Sequence, residues 1–162
     1  NMKLESIALH HGYESDKNDQ KSATTPIYQT SGFTIDSTQH GADLFDLKVE
    51  GNIYSRIMNP TCDVLEQRVA ALEGGAAALA VSSGQTATAY ALQNIAKAGD
   101  NIVSSTDLYG GTWNQLNNTF KDMGIEVRFV DPKDPNSFAE ATDDKTRAYF
   151  AETLPNPKLI LE

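Results

Sequence analysis

Apolar positions along the chain follow two different rules, and the change falls near residue 50. Before it the pattern is polar and interrupted, with a Ser/Thr-rich stretch from Ser22 to Thr38. Inside that stretch Pro26-Ile27-Tyr28 predicts a short extended segment. Gln39 to Lys48 predicts one amphipathic helix, its apolar residues being Ala42, Leu44, Phe45 and Leu47. Such a beginning suits an arm, residues 1–50, that reaches across a neighbouring subunit better than it suits a chain closing its own core.

From Gly51 onward the pattern is regular. Asn59-Pro60-Thr61 opens a helix, Val64, Leu65, Val69 and Leu72 recur at helical spacing, and Gly74-Gly75 ends it. Ala76 to Val81 is an apolar run of strand length. Ser82-Ser83-Gly84 turns into a second helix, Gln85 to Ala98, closed by Gly99. Asn101 to Ser105 predicts a strand, Gly111 to Met123 a third helix stopped by Gly124, and Glu126 to Val130 another strand. Asn136 to Ala141 predicts a short helix and Arg147 to Glu152 a last strand. Strands alternating with helices at roughly 25-residue spacing predict βαβ units, hence an α/β fold with a mostly parallel sheet flanked by helices. The final Lys158-Leu159-Ile160-Leu161-Glu162 begins an apolar segment as the chain ends. The chain is therefore expected to be the first part of a longer protein, since a parallel sheet has both faces covered.

Composition narrows the partners. Hydrophobic residues make up 40% and the 11 glycines about 7% more, which is a globular composition. Thirteen basic against 22 acidic residues give a net charge of −9, so neither nucleic acid nor an anionic membrane is expected as a partner. No run approaches the roughly 20 apolar residues of a membrane span. The opening Asn1-Met2-Lys3-Leu4-Glu5 has no apolar signal core, and Asn1 is expected to be foreign to the natural start. A single cysteine, Cys62, forms no internal disulfide and fits a reducing, cytoplasmic setting. It has no His or Cys beside it and reads as a helix residue. His10, His11 and His40 lie in the irregular first part, no metal-ligand spacing occurs, and no metal is expected.

Four segments could carry chemistry. Ser82-Ser83-Gly84-Gln85-Thr86 lies between a predicted strand and a helix, where backbone N–H groups attract a phosphate, although an ordinary βα loop looks the same. It lacks the Walker lysine and the dinucleotide spacing, which disfavours a nucleotide-binding domain. Tyr54-Ser55-Arg56, if extended, points a hydroxyl and a guanidinium the same way, toward one phosphate; the alternative is a surface arginine beside a half-buried tyrosine. Tyr109-Gly110-Gly111 could lay a ring over a flat heteroaromatic ligand, or pack over the end of the sheet. Glu152-Thr153-Leu154-Pro155-Asn156-Pro157 follows the last strand at the carboxyl edge, where the Asn156 amide could hold a phenolic oxygen or a carboxylate, or merely turn the chain.

Together, Gly51-Asn52-Ile53-Tyr54-Ser55-Arg56-Ile57-Met58-Asn59-Pro60-Thr61, Leu65-Glu66 and Ala71-Leu72-Glu73-Gly74-Gly75 resemble the Cys/Met-metabolism group of fold-type I pyridoxal 5'-phosphate (PLP) enzymes. Ser83-Gly84, Tyr109-Gly110-Gly111 and Asn156-Pro157 follow in the matching order. The resemblance implies that residues 51–162 are the first part of the PLP-binding large α/β domain. It implies that the Gly84 and Gln85 N–H groups hold the cofactor phosphate, and that Tyr54 and Arg56 reach it from the neighbouring subunit. Tyr109 would stack on the pyridine ring and move a proton, Asn156 would contact the 3′ oxygen or the substrate carboxylate, and Glu152 would support that loop. A homo-oligomer follows, with a dimer making the site and a homotetramer as the assembly.

Two family parts have no match. The aspartate of an Asp-Asn-Thr strand and the Schiff-base lysine after a Ser-x-Thr are absent, none of the nine lysines being so placed. They are expected beyond Glu162, with the C-terminal domain, so the 162-residue chain alone is expected to be inactive. Within the family, the Gly51-Asn52-Ile53 lead-in and Asp43-Leu44-Phe45 resemble the O-acetylhomoserine sulfhydrylases. That implies γ-replacement on O-acetyl-L-homoserine by sulfide or a thiol, in methionine biosynthesis. The alternatives are the methionine γ-lyase or cystathionine γ-synthase reaction, and a non-catalytic α/β binding or assembly module.

Overall fold

A computed structural model describes residues 2–161. Asn1, and Glu162 at the end of the expected apolar segment, lie outside the described residues. The chain divides into two compact units, Asn1–Ala80 and Val81–Glu162.

In the first unit, helix α1 (Leu4–His10) packs on α3 (Pro60–Glu73), and Arg68 Nε donates to the His11 carbonyl at 2.9 Å. The sequence did not announce α1, which buries no residue of its own. Helix α2 (Thr38–Phe45) starts one residue before the expected Gln39–Lys48 and stops three short of its end, capped by Ser37 Oγ accepting from the His40 N–H. Leu44 is its main anchor, at 3% exposed. The ends of α3 are those predicted. Asn59 Oδ1 accepts from the Thr61 N–H, Pro60 occupies the first turn, and Gly74 closes the helix at φ +67°, a left-handed conformation that suits glycine.

The second unit is a βα arrangement around a parallel sheet of order β2-β1-β3: β1 (Asn101–Ser105) at the centre, with β2 (Glu126–Val130) and β3 (Thr146–Phe150) on its flanks. Helix α4 (Gly84–Gln93) precedes β1. Helix α5 (Gly110–Asn114) runs on into a π-helical turn, Gln115–Phe120, before β2, and α6 (Pro135–Glu140) links β2 to β3. Leu92, Ile102, Leu116, Phe120 and Ile125 form the core, with Val127, Phe129 and Phe150 packed against it. Burying each such side chain contributes roughly 1.5–3 kcal/mol, and Ile102, Leu116 and Phe120 are wholly buried. The central β1 is buried along its whole length, as a strand covered on both faces must be.

One expected element is corrected. Ala76 to Val81 forms no strand. Both flanks of β1 are taken by β2 and β3, the run is mostly alanine, a weak strand former, and Leu79 is exposed. The Ala80 N–H donates instead to the Glu66 carboxylate at 2.7 Å. Among the described residues three strands therefore stand where four were expected. The second helix is also shorter than expected, ending at Gln93, and Pro26–Tyr28 is held by side chains rather than by strand pairing.

Candidate functional site

The site in the second unit starts from a cap. Ser83 is extended, φ −160° and ψ 160°, and its Oγ accepts from the Thr86 N–H at 3.1 Å while its carbonyl accepts from Ala87. That leaves the N–H groups of Gly84 and Gln85 as first-turn donors with no acceptor inside the helix. A Cβ built at Gly84 would meet nothing within 4 Å. The chain's own packing thus gives no reason for glycine there, whereas an anion seated against the helix start would. Positive charge density at a helix N-terminus acts in the same sense. The residues present fit a phosphate.

Tyr109 ends the loop that leaves β1 at the carboxyl edge. Its N–H donates to Glu152 Oε2 at 3.0 Å, so the loops after β1 and β3 are joined there, and its ring is half exposed. The ring lies across Gly111, where an added Cβ would come within 2.6 Å of Tyr109 Cε1 and 3.4 Å of Gln85 Nε2. Gly111 thus brings the Tyr109 ring and the start of α4 to one place. Asn156 stands exposed in the same β3 loop, between the buried Pro155 and the exposed Pro157. Two residues on, Lys158 forms an ion pair with Asp107, whose carboxylate is almost fully buried. The sequence reading left this pair out, because Lys158 and Asp107 lie 51 residues apart and only the paired loops bring them together.

Tyr54 and Arg56 lie in the first unit, and their local structure corrects an expectation. The segment is not extended through Arg56: Tyr54 bridges Gly32, then its carbonyl accepts from the N–H groups of Ile57 and Met58, turning the chain. The two side chains still meet. The Arg56 guanidinium stands over the Tyr54 ring, 5.6 Å from its centroid, and both residues are exposed. The Asn59-Pro60-Thr61 motif steadies this corner. Asn59 Nδ2 donates to the Tyr28 carbonyl at 2.9 Å and to Ser55 Oγ at 3.0 Å, and Thr61 Oγ1 donates to the Pro26 carbonyl at 2.8 Å.

Other candidates contribute little. Cys62 is exposed in the first turn of α3. His10 and His11 end α1, while His40 Nδ1 accepts from the Asp36 N–H at 3.3 Å. Among the described residues no group of three or more His, Cys, Asp or Glu could hold a metal ion, and no helix is long and apolar enough to cross a membrane.

Comparison with known proteins gives the family of the chain. A family model described as Cys/Met metabolism PLP-dependent enzyme matches residues 5–161. The chain is 57% identical over 159 residues to the O-acetyl-L-homoserine sulfhydrylase of Leptospira meyeri, covering 98% of the chain and 36% of that protein. It is 50% identical over 156 residues to the homocysteine/cysteine synthase of Saccharomyces cerevisiae, covering 96% and 35%. It superposes with a TM-score of 0.92 and 42% identity on the crystal structure of an assigned O-acetylhomoserine (thiol)-lyase from Campylobacter jejuni that carries N'-pyridoxyl-lysine-5'-monophosphate, covering 99% of the chain and 39% of that one. The chain thus spans little more than a third of the length of these relatives. With the matched span running almost end to end, the chain belongs to the Cys/Met metabolism PLP-dependent enzyme family.

Proposed function

We propose that the protein containing this chain converts O-acetyl-L-homoserine and sulfide, or a thiol, to homocysteine, or methionine, and acetate by γ-replacement, with PLP as cofactor. The likeness to an O-acetyl-L-homoserine sulfhydrylase supports the reaction, and one observation carries the cofactor: the start of α4 offers two first-turn N–H donors beside a glycine with no atom in reach of its open side. When bound, PLP supplies an electron sink conjugated to the substrate α-carbon. The Gly84 and Gln85 N–H groups receive its phosphate. Tyr54 and Arg56 reach the same phosphate from a neighbouring protomer, Arg56 giving paired charge-assisted hydrogen bonds. The Tyr109 ring covers the ring face, and its hydroxyl moves a proton to or from the substrate. The Asn156 amide holds the 3′ oxygen or the substrate carboxylate, in a loop that Glu152 fastens to the Tyr109 backbone.

The same reading places the protein in the cytoplasm as a homo-oligomer, a dimer forming each site and a homotetramer the assembly, with residues 1–50 as the arm and residues 51–162 as the first part of the cofactor domain. The test is an assay of the intact protein with O-acetyl-L-homoserine and sulfide. Homocysteine should form well ahead of ammonia and 2-oxobutanoate; dominant release of ammonia would turn the reading to the methionine γ-lyase reaction.

A further inference from the structure

The π-helical turn Gln115–Phe120 interrupts an otherwise α-helical stretch, and such turns commonly mark functional positions. Its first residue reaches out of its own helix: Gln115 Nε2 donates to the Gln85 carbonyl at 3.0 Å. One turn earlier, the Oγ1 of buried Thr112 accepts from Gln85 Nε2 at 3.2 Å. Gln85 is therefore held at its side chain from α5 and at its backbone from the π-helical turn. The arrangement is not what burial alone would select, because Gln115 Oε1 is shut away from solvent without a hydrogen-bond partner. A leucine would fill the same place without an orphaned acceptor. What the glutamine contributes here is its donor end.

We propose that Gln115 and Thr112 are positioning residues that set the first turn of α4 for the cofactor phosphate. This rests on the cofactor reading above. Neither side chain touches the phosphate. They fix Gln85, so that its N–H and that of Gly84 converge on one point beside the open face of Gly84. The contribution falls on the phosphate alone and not on the pyridine ring.

That selectivity supplies the test. Apo forms of the intact protein and of Gln115→Leu are titrated with PLP and, separately, with pyridoxal, which has the same ring and no phosphate. The wild type should bind PLP far more tightly than pyridoxal. Gln115→Leu should reduce that preference about tenfold, leaving pyridoxal affinity and the urea midpoint within error of wild type. An unchanged preference overturns the inference, and so does equal weakening of both ligands with a lowered midpoint, which would mark Gln115 as purely structural. If Gln115→Leu does not fold, Thr112→Val is read by the same preference, and failure of both to fold also overturns it. A wild type that does not distinguish PLP from pyridoxal would instead remove the cofactor reading itself.

Discussion

The two edges of the β2-β1-β3 sheet are built on opposite terms. At the amino edge polar groups are paired within the chain, around the buried Asn101 and Asp100: Asn101, 1% exposed, donates to Asp143 at 2.7 Å and accepts from Thr146 at 2.7 Å. Arg128 joins Glu126 to Asp143, and Arg147 reaches Asp100. Asp143 is held down to about 2, first by the Asn101 amide, then by the Lys145 N–H and the Arg128 guanidinium. Asp100 is lowered too, mainly by the Lys97 N–H and then by Arg147. At the carboxyl edge only the supports are paired, Asp107 with Lys158 and Glu152 with the Tyr109 N–H. The groups above them, the Tyr109 ring and Asn156, face solvent. The difference separates stability from function: one edge has its polar groups matched within the chain, and the other presents polar groups that a ligand can match.

The comparison can be broken most sharply at Tyr109. Tyr109→Phe keeps the ring over Gly111 and removes the hydroxyl. Steady-state assays should show turnover down about 10²–10⁴-fold with unfolding unmoved; unchanged turnover would detach the carboxyl edge from proton transfer. Gly84→Asp places a carboxylate in space the fold leaves open. PLP affinity, read by fluorescence titration, should fall on the order of a hundredfold with the far-ultraviolet dichroism intact.

The amino edge should respond the other way. Asn101→Ala strands the groups it joins and should lower unfolding stability by about 1–3 kcal/mol in urea, with PLP affinity the same as wild type. The smallest effect is the pH response. Asp143 has a folded value below the ordinary carboxylate value near 3.9, so its stabilisation is complete above that value and is lost as pH falls through about 2. Acid unfolding followed by circular dichroism should therefore have a shallower limb below pH ~4 in Asp143→Asn. An unaltered limb would remove Asp143 from the comparison.

Parts of this division were legible in the chain alone. The carboxyl-edge segments stood out because their residue types are unusual for loops: a Ser-Ser-Gly before a helix, a Tyr-Gly-Gly after a strand, an asparagine between two prolines. The amino-edge network did not stand out. Asn101, Asp143 and Arg128 are ordinary polar residues 15–42 positions apart, and only strand register makes them neighbours. Thr112 and Gln115 escaped notice for the same reason, their partner Gln85 lying 27 and 30 residues back.

The sequence by itself determined the ends of α3, the cap of α4 and the β1 and β2 runs. A helix cap is satisfied within about four residues, and each of these strands is marked locally by β-branched or aromatic residues just after the Gly99 or Gly124 stop. Tertiary structure alone decided the strand order, the loss of Ala76–Val81 as a strand, the stacking of Arg56 on Tyr54 and the opening beside Gly84. Each of these depends on which distant groups fill, or leave free, the space around a residue, and local pattern carries no record of that.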